Sequence, residues 1–156
     1  MTITSTHNYF LYIEAVLVAE PFTSVSGIGS EIEVAKETFV DPDTGAVVIE
    51  SISGRPTFTE IVLTRPVTEN DGFWQWHKDI MENKDRRANC SIIARGSDDS
   101  IIAWWDVEKA WPSKITVAEM NSSSSEVLQE TITLSHGGVT RVPSSEIANR
   151  AQQLGP

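Results

Sequence analysis

The chain has 156 residues, with 22 acidic against 12 basic side chains and a formal net charge of -10. That length supports a single domain over residues 1–156 that buries roughly two thirds of its unfolded surface. A hydrophobic content of 40% with 22% charged residues excludes global disorder, and the acidic balance excludes a cation-lined nucleic-acid groove while leaving room for a conduit along which a polyanion slides.

The first eight residues are polar and carry no Lys or Arg, so a secretory leader is not expected. The longest apolar stretch, residues 9–19, is interrupted by Glu14 and far too short for a bilayer, so the monomer is not expected to anchor in a membrane. Residues 9–18 mix aromatic and β-branched side chains and predict a well-buried first strand ending at Pro21. Gly27 and Gly29 mark a turn. Residues 30–37 alternate, with Ile32 and Val34 on one face and Glu31, Glu33, Ala35 and Glu37 on the other, as a half-buried strand does. Asp41-Pro42-Asp43-Thr44-Gly45 carries turn chemistry between two β-prone runs and predicts an extended hairpin. Residues 57–65 predict a further strand, Ile61 and Leu63 alternating against Glu60, Val62 and Thr64, with Pro66 ending it or placing it at an edge.

Asn70 or Asp71 is placed to cap a helix whose apolar stripe reads Phe73, Trp74, His77, Ile80 and Met81, which leaves Trp76 off the stripe. Residues 90–95 and 101–107 predict a hairpin around Gly96-Ser97-Asp98-Asp99-Ser100. Residues 127–134 add another strand after the serine loop at 122–125. Residues 144–154 predict a short tail helix after Pro143, with Ile147, Ala151 and Leu154 on one side. The fold class is mainly β, a β-sandwich or barrel with one flanking helix and an extended hairpin.

Catalytic signatures are missing from the sequence. His7, His77 and His136 are scattered without zinc-ligand spacing. No nucleophile elbow or phosphate loop occurs, and Gly27-Ile28-Gly29 lacks the third glycine of a dinucleotide turn. The carboxylate pairs Asp98-Asp99 and Glu31/Glu33 read as solvated turn and strand-face residues. Cys90 is the lone cysteine, which excludes an internal disulfide and reads as a small buried residue. Arg86-Arg87 is expected to favour the helix C-terminus or to pair with a neighbouring acid. The expectation is a protein that is not an enzyme and holds no cofactor or metal.

Tryptophan usage points instead to assembly. Trp104 and Trp105 are adjacent in a predicted strand, so their rings face opposite sides, and a ring its own domain does not bury is an interface anchor. Trp74, Trp104, Trp105 and Trp111 are accordingly candidate structural or interface aromatics.

The ordered set running from residues 22–34 through Gly54-Arg55-Pro56, Ile61-Val62-Leu63-Thr64-Arg65, Trp74, Trp76, Arg86-Arg87, Ala110-Trp111-Pro112-Ser113-Lys114, Asn121, Glu126-Val127, Glu130 and His136-Gly137-Gly138 resembles the tail tube proteins of contractile phages. It is similar above all to the inner tube subunits of phage-tail-like extracellular contractile injection systems. The resemblance implies a β-barrel or sandwich subunit with one flanking helix. Such a subunit self-assembles into hexameric rings, which stack into a hollow tube, a virion or particle component, inside a contractile sheath. The tube would be assembled in the cytoplasm of the producing cell, with the sheath, baseplate and tube-initiator proteins as partners and cargo or DNA in the lumen. It also implies that residues 36–53 reach the neighbouring ring, which puts Asp41, Asp43 and Thr44 near an inter-ring contact. Glu31, Glu33 and Glu60 become candidate lumen-facing residues. Pro66, where relatives carry a glycine, and the Asp-Pro-Asp-Thr-Gly tip depart from the pattern. The competing classes are a monomeric ligand-binding β-barrel, with Trp104, Trp105 and Trp111 lining a pocket, and a hydrolase built on a carboxylate pair.

Overall fold

The computed structural model describes residues 6–13, 18–84, 86–98, 100–123 and 127–153. Within them the chain forms, in order, β1 (Thr6–Ile13), β2 (Val18–Phe22), β3 (Ser24–Ser26), β4 (Ser30–Val40), β5 (Val47–Phe58), β6 (Ile61–Pro66), α1 (Gly72–Met81), β7 (Ala88–Gly96), β8 (Ile101–Val117), β9 (Gln129–Ser135), β10 (Gly138–Arg141) and α2 (Ser144–Gln153). The predicted class holds: a β protein with helices on its flanks.

Pairing runs β2-β1-β7-β8-β9-β6-β3, with β10 also on β8, while β4 and β5 pair only with each other. The two end strands of that path, β2 and β3, are separated by Thr23 alone, whose N–H donates to the Thr64 carbonyl at 2.9 Å. The sheet therefore curls until its ends lie along one continuous segment. Its interior holds Phe22, Ile61, Leu63, Phe73, Trp76, Ile92, Val107, Ile132 and Leu134, with Trp105 and Trp111 packed against them. A second, smaller cluster of Ile93, Trp104 and Val142 lies beneath Ile147 of α2.

Several predicted boundaries shift. The first strand is two antiparallel strands, β1 and β2. Pro21 sits inside β2 opposite Phe10, tolerated because an edge strand does not need every N–H. Glu14 and the rest of residues 14–17 lie outside the described residues, as do Asp99, Glu126 and Leu154. The strand expected over 57–65 breaks at Thr59-Glu60, so that β5 leaves the body and β6 enters it. On α1 the buried residues are Phe73 and Trp76, whereas Trp74 and Met81 are exposed. Positions 73, 76, 77 and 80 make an i, i+3, i+4, i+7 stripe, one step from the predicted one. Trp76 completes its burial by donating its indole N–H to the Arg86 carbonyl.

The predicted 90–95/101–107 hairpin is present but longer, β7 and β8 meeting at a turn where the Ser100 N–H and hydroxyl both donate to Asp98 (3.2 and 2.6 Å). The Ser100 hydroxyl, then its N–H, hold the Asp98 carboxyl below its ordinary range. Cys90 is buried. Arg86 pairs with Asp79 of α1 at 2.7 Å. The tail helix is α2, held by Arg150 to Asp106 at 2.6 Å.

Where the chain leaves β3 for β4, Gly27 has φ +85, and a Cβ there would collide with the Glu60 carbonyl oxygen. The Thr59 hydroxyl donates to the Gly27 carbonyl at 2.8 Å, so the two roots of the hairpin are stitched together at this glycine. Gly27→Ala is expected to destabilise the subunit by at least ~1 kcal/mol, since both the backbone conformation and the space forbid a side chain; urea denaturation against the parent chain measures it.

Candidate functional site

The β4–β5 hairpin is the feature that the fold itself does not account for. Every residue of β4 is exposed, and β5 is exposed throughout except for half-buried Val48. The half-buried strand predicted over 30–37 is thus a free one: its alternation is real, but among the described residues no layer covers either face. An isolated two-stranded hairpin is marginal in water.

Directly opposed residues of an antiparallel pair share a face, so the register defines two surfaces. One carries Ile32 opposite Pro56, Val34 opposite Ser53, Lys36 opposite Ser51, Thr38 opposite Ile49 and Val40 opposite Val47. Ile32, Val34, Val40, Val47 and Ile49 are between 56% and 67% exposed. The other face carries Glu31, Glu33, Ala35 opposite Ile52, Glu37 opposite Glu50, and Phe39 opposite Val48. A bulge between Ile32 and Val34 sets Glu33 against Gly54-Arg55, and a Cβ on Gly54 would come within 2.9 Å of the Glu33 carbonyl oxygen.

At the tip, Asp41 accepts the Asp43 N–H at 2.9 Å and Thr44 accepts the Ala46 N–H at 3.3 Å. The Asp41 N–H donates to the Ala46 carbonyl and the Gly45 N–H to the Asp41 carbonyl. Asp41 and Thr44 thereby shape the turn, while the exposed Asp43 contributes only its backbone N–H to these bonds. Glu60 stands apart from Glu31 and Glu33, in the turn below the hairpin, where it accepts the Ser135 hydroxyl at 3.1 Å. His136 Nε2 donates to the Thr59 carbonyl at 2.8 Å and its ring meets Phe58, fastening the same root.

The candidate aromatics do not converge. Trp104 is 4% exposed in the smaller cluster, under α2, whereas Trp105 and Trp111 pack against the main core. Adjacent rings do face opposite sides, and the second apolar surface is supplied by the chain's own tail helix. A shared pocket lined by Trp104, Trp105 and Trp111 is therefore not formed. Among the described residues no cluster of His, Cys, Asp and Glu is arranged to hold a metal ion.

Reading the sequence alone missed the buried pair at the other end of the sheet. Arg65, on the core face of β6, donates from Nε to Glu130 Oε1 at 2.7 Å, both side chains being almost wholly buried. Its Nη2 donates to the Asn70 carbonyl at 3.1 Å, and its guanidinium lies 4.9 Å from the Phe73 ring centre. Trp74 donates its indole N–H to Glu130 Oε2 at 3.1 Å. Three of the positions that carried the resemblance, 65, 74 and 130, thus meet at one site. The signal available was the arginine at an inward position of the Ile61-Leu63-Arg65 alternation.

The sequence matches the family described as T4-like virus tail tube protein gp19 over residues 6–140. No curated protein sequence matches. Among solved structures the chain is similar to a chain of the anti-feeding prophage cap, the AFP tube terminating cap, at 21% identity and TM-score 0.73, with 92% of this chain and 93% of that one covered. It is similar to a chain of the PVC sheath-tube complex in the extended state, from an extracellular contractile injection system, at 20% identity and TM-score 0.71 over 90% and 91%. A third similarity is to a chain of the 6-fold symmetrised AFP baseplate, at 16% identity and TM-score 0.73 over 91% and 97%. These likenesses show a shared fold.

Glu130→Ala leaves the Arg65 charge buried without its carboxylate, and is expected to cost roughly 3–5 kcal/mol. Trp74→Phe, which removes only the indole donor, is expected to cost about 1–3 kcal/mol; equilibrium denaturation of both variants checks the ranking.

Proposed function

Because the chain belongs to the T4-like virus tail tube protein family, we propose that it is the building block of the inner tube of a contractile injection system or phage tail. Its copies close into hexameric rings that stack into a hollow conduit. The observation that carries this reading is the β4–β5 hairpin, which exposes apolar side chains on both faces and has no partner layer among the described residues. A continuous wall built from neighbouring copies supplies that layer, and turns open strand edges from an aggregation liability into the assembly device.

The similarity to chains in a sheath-tube complex, a tube terminating cap and a 6-fold symmetrised baseplate supports sheath and baseplate proteins as partners, and supports hexameric symmetry; a tube-initiator partner is what the family resemblance implies. The subunit acts as one domain, assembles in the cytoplasm of the producing cell and leaves it as part of the particle. Its work is conduction and force transmission rather than catalysis. Glu31 and Glu33, with Glu37 and Glu50 on the same hairpin face, face the lumen, where fixed negative charge keeps DNA or acidic cargo from adhering. Asp41, Asp43 and Thr44 lie at the contact between rings, Asp43 as the free charge and the other two as the shapers of the turn.

Negative-stain electron microscopy of the purified chain is expected to show rings and stacked tubes; a persistent monomer that binds a small ligand overturns the reading. At the tip, Asp43→Ala is expected to shorten the tubes without changing the stability of the free subunit. Unchanged tube lengths in that variant would remove Asp43 from the inter-ring contact.

A further inference from the structure

The tail helix is attached to the sheet by very little. Among its described side chains none is buried, and only Ile147, Arg150 and Ala151 are half-buried, at the i, i+3 and i+4 spacing of a single stripe. Ile147 packs on Ile93, Trp104 and Val142. Among the described residues the polar tie from α2 to the body is Arg150, which donates from Nη1 to Asp106 Oδ2 at 2.6 Å, with its guanidinium 5.9 Å from the Trp104 ring centre. Backbone bonding to the sheet ends at Val142, whose N–H donates to the Trp104 carbonyl at 2.8 Å. Pro143, which has no N–H, follows.

Each of these ties is weak on its own. The two side chains of the ion pair are 36% and 34% exposed, so water and salt screen their attraction. A helix of 10 residues is too short to persist alone in water, so α2 is ordered only while it lies on the sheet. The closed position also leaves a defect, because the Trp104 indole N–H is buried and finds no acceptor among the described residues. An unmet buried donor costs stability that its exposure returns. Closed and open positions of α2 are therefore close in free energy, while Ile93 and Trp104 stay held in place by the β7–β8 pairing across which they are directly opposed.

We propose that α2 is a lid over an aromatic surface of the sheet, hinged at Pro143, latched by Arg150 on Asp106 and released by ionic strength without unfolding of the strands beneath. Closed, it masks Ile93, Trp104 and Val142 and keeps the free chain from sticking to others through that face. Open, it bares an apolar patch centred on Trp104, whose indole N–H then reaches water. Arg150 sets the balance because its charge is the part of the closure that salt removes. Its other carboxylate neighbour, Glu146 at 3.9 Å, lies on α2 itself and moves with it. The lid is a property of the single chain and stands apart from the tube reading.

Hydrogen exchange read by mass spectrometry on the unassembled full chain tests it, between about 0.01 M and about 1 M salt, where the screening length falls from ~30 to ~3 Å. Exchange over residues 144–153 is expected to quicken about two- to fivefold across that range, the size set by an exposed ion pair, while the amides of β7 and β8 stay protected. Arg150→Gln is expected to show the fast rate already at low salt and no further rise. Arg150→Lys, which keeps the charge, is expected to keep the salt dependence. Acrylamide quenching of tryptophan fluorescence is expected to increase with salt in the parent chain and to lose that increase in Trp104→Phe. Salt-independent exchange over 144–153 in the unaltered chain would overturn the inference, whatever the variants do. A rise shared equally by β7 and β8 would also overturn it, because the whole subunit would then be loosening rather than a lid opening.

Discussion

One strand, β8, is shared by both halves of the curled sheet, and the remaining elements take their positions from it. Its first half lies between β7 and β10 and its second half against β9. Both helices pack on it. A strand that serves two differently directed sheets has to bend, and β8 does so with extra residues against β7 near Ile102 and Lys109 and against β9 at Ser113. Bulges of this kind raise the local twist and redirect the strand. Lys109 sits at φ 51, with its N–H donated to the Asn89 side chain. Pro112 is tolerated in an interior strand because it adjoins a bulge, and its carbonyl is not wasted: His77 Nδ1 donates to it at 2.8 Å, locking α1 to the bend. The Trp111-Pro112-Ser113 sequence is therefore a hinge of the fold as well as part of its core lining.

Much of this was legible from the sequence, and the exceptions share a cause. Turn chemistry located the hairpin tip and the β7–β8 turn, because Asp, Gly and Ser act there through bonds to their own backbone neighbours. Opposite facing of Trp104 and Trp105 follows from strand geometry alone. Local pattern did not reveal which layer, if any, covers a face. Residues 30–37 alternate as a half-buried strand does, yet among the described residues nothing covers them. Trp74 and Trp76 are equally aromatic, and the choice between them was decided by how α1 packs on β8. The break at Thr59-Glu60 was invisible for the same reason, since β-prone residues flank it on both sides and only the tertiary path separates them.

Arg65 and Glu130 show how distant marks become one physical unit. They are opposed across β6 and β9, and the pair's remaining groups are satisfied by the start of α1, through the Asn70 carbonyl and the Trp74 indole. Burying a charge pair adds little net stability compared with an apolar pair of the same size. What the arrangement does is fix geometry: a bonded guanidinium joins two strands and the helix entry at set distances. The same connection places the start of α1 beside the ends of β6 and β9. A subunit that has to repeat accurately along a tube gains more from such fixed geometry than from added stability.

The two faces of the hairpin also constrain how it sits in any assembly. Glu37 and Glu50 are directly opposed, and like charges in that relation oppose strand pairing unless water or counterions surround them. Burying that face against protein would desolvate Glu37 and Glu50, whose register neighbours include no cation, since Lys36 projects to the other side. Around Glu37 and Glu50 that face therefore favours water, although it also carries Phe39 and Ile52, 44% and 43% exposed. In a tube whose wall is built from such hairpins, the wet side has only two possible locations, the lumen and the outer surface. On the proposed tube reading, a lumen-facing Glu37–Glu50 side and an Ile, Val and Lys36 side against neighbouring copies satisfy both faces.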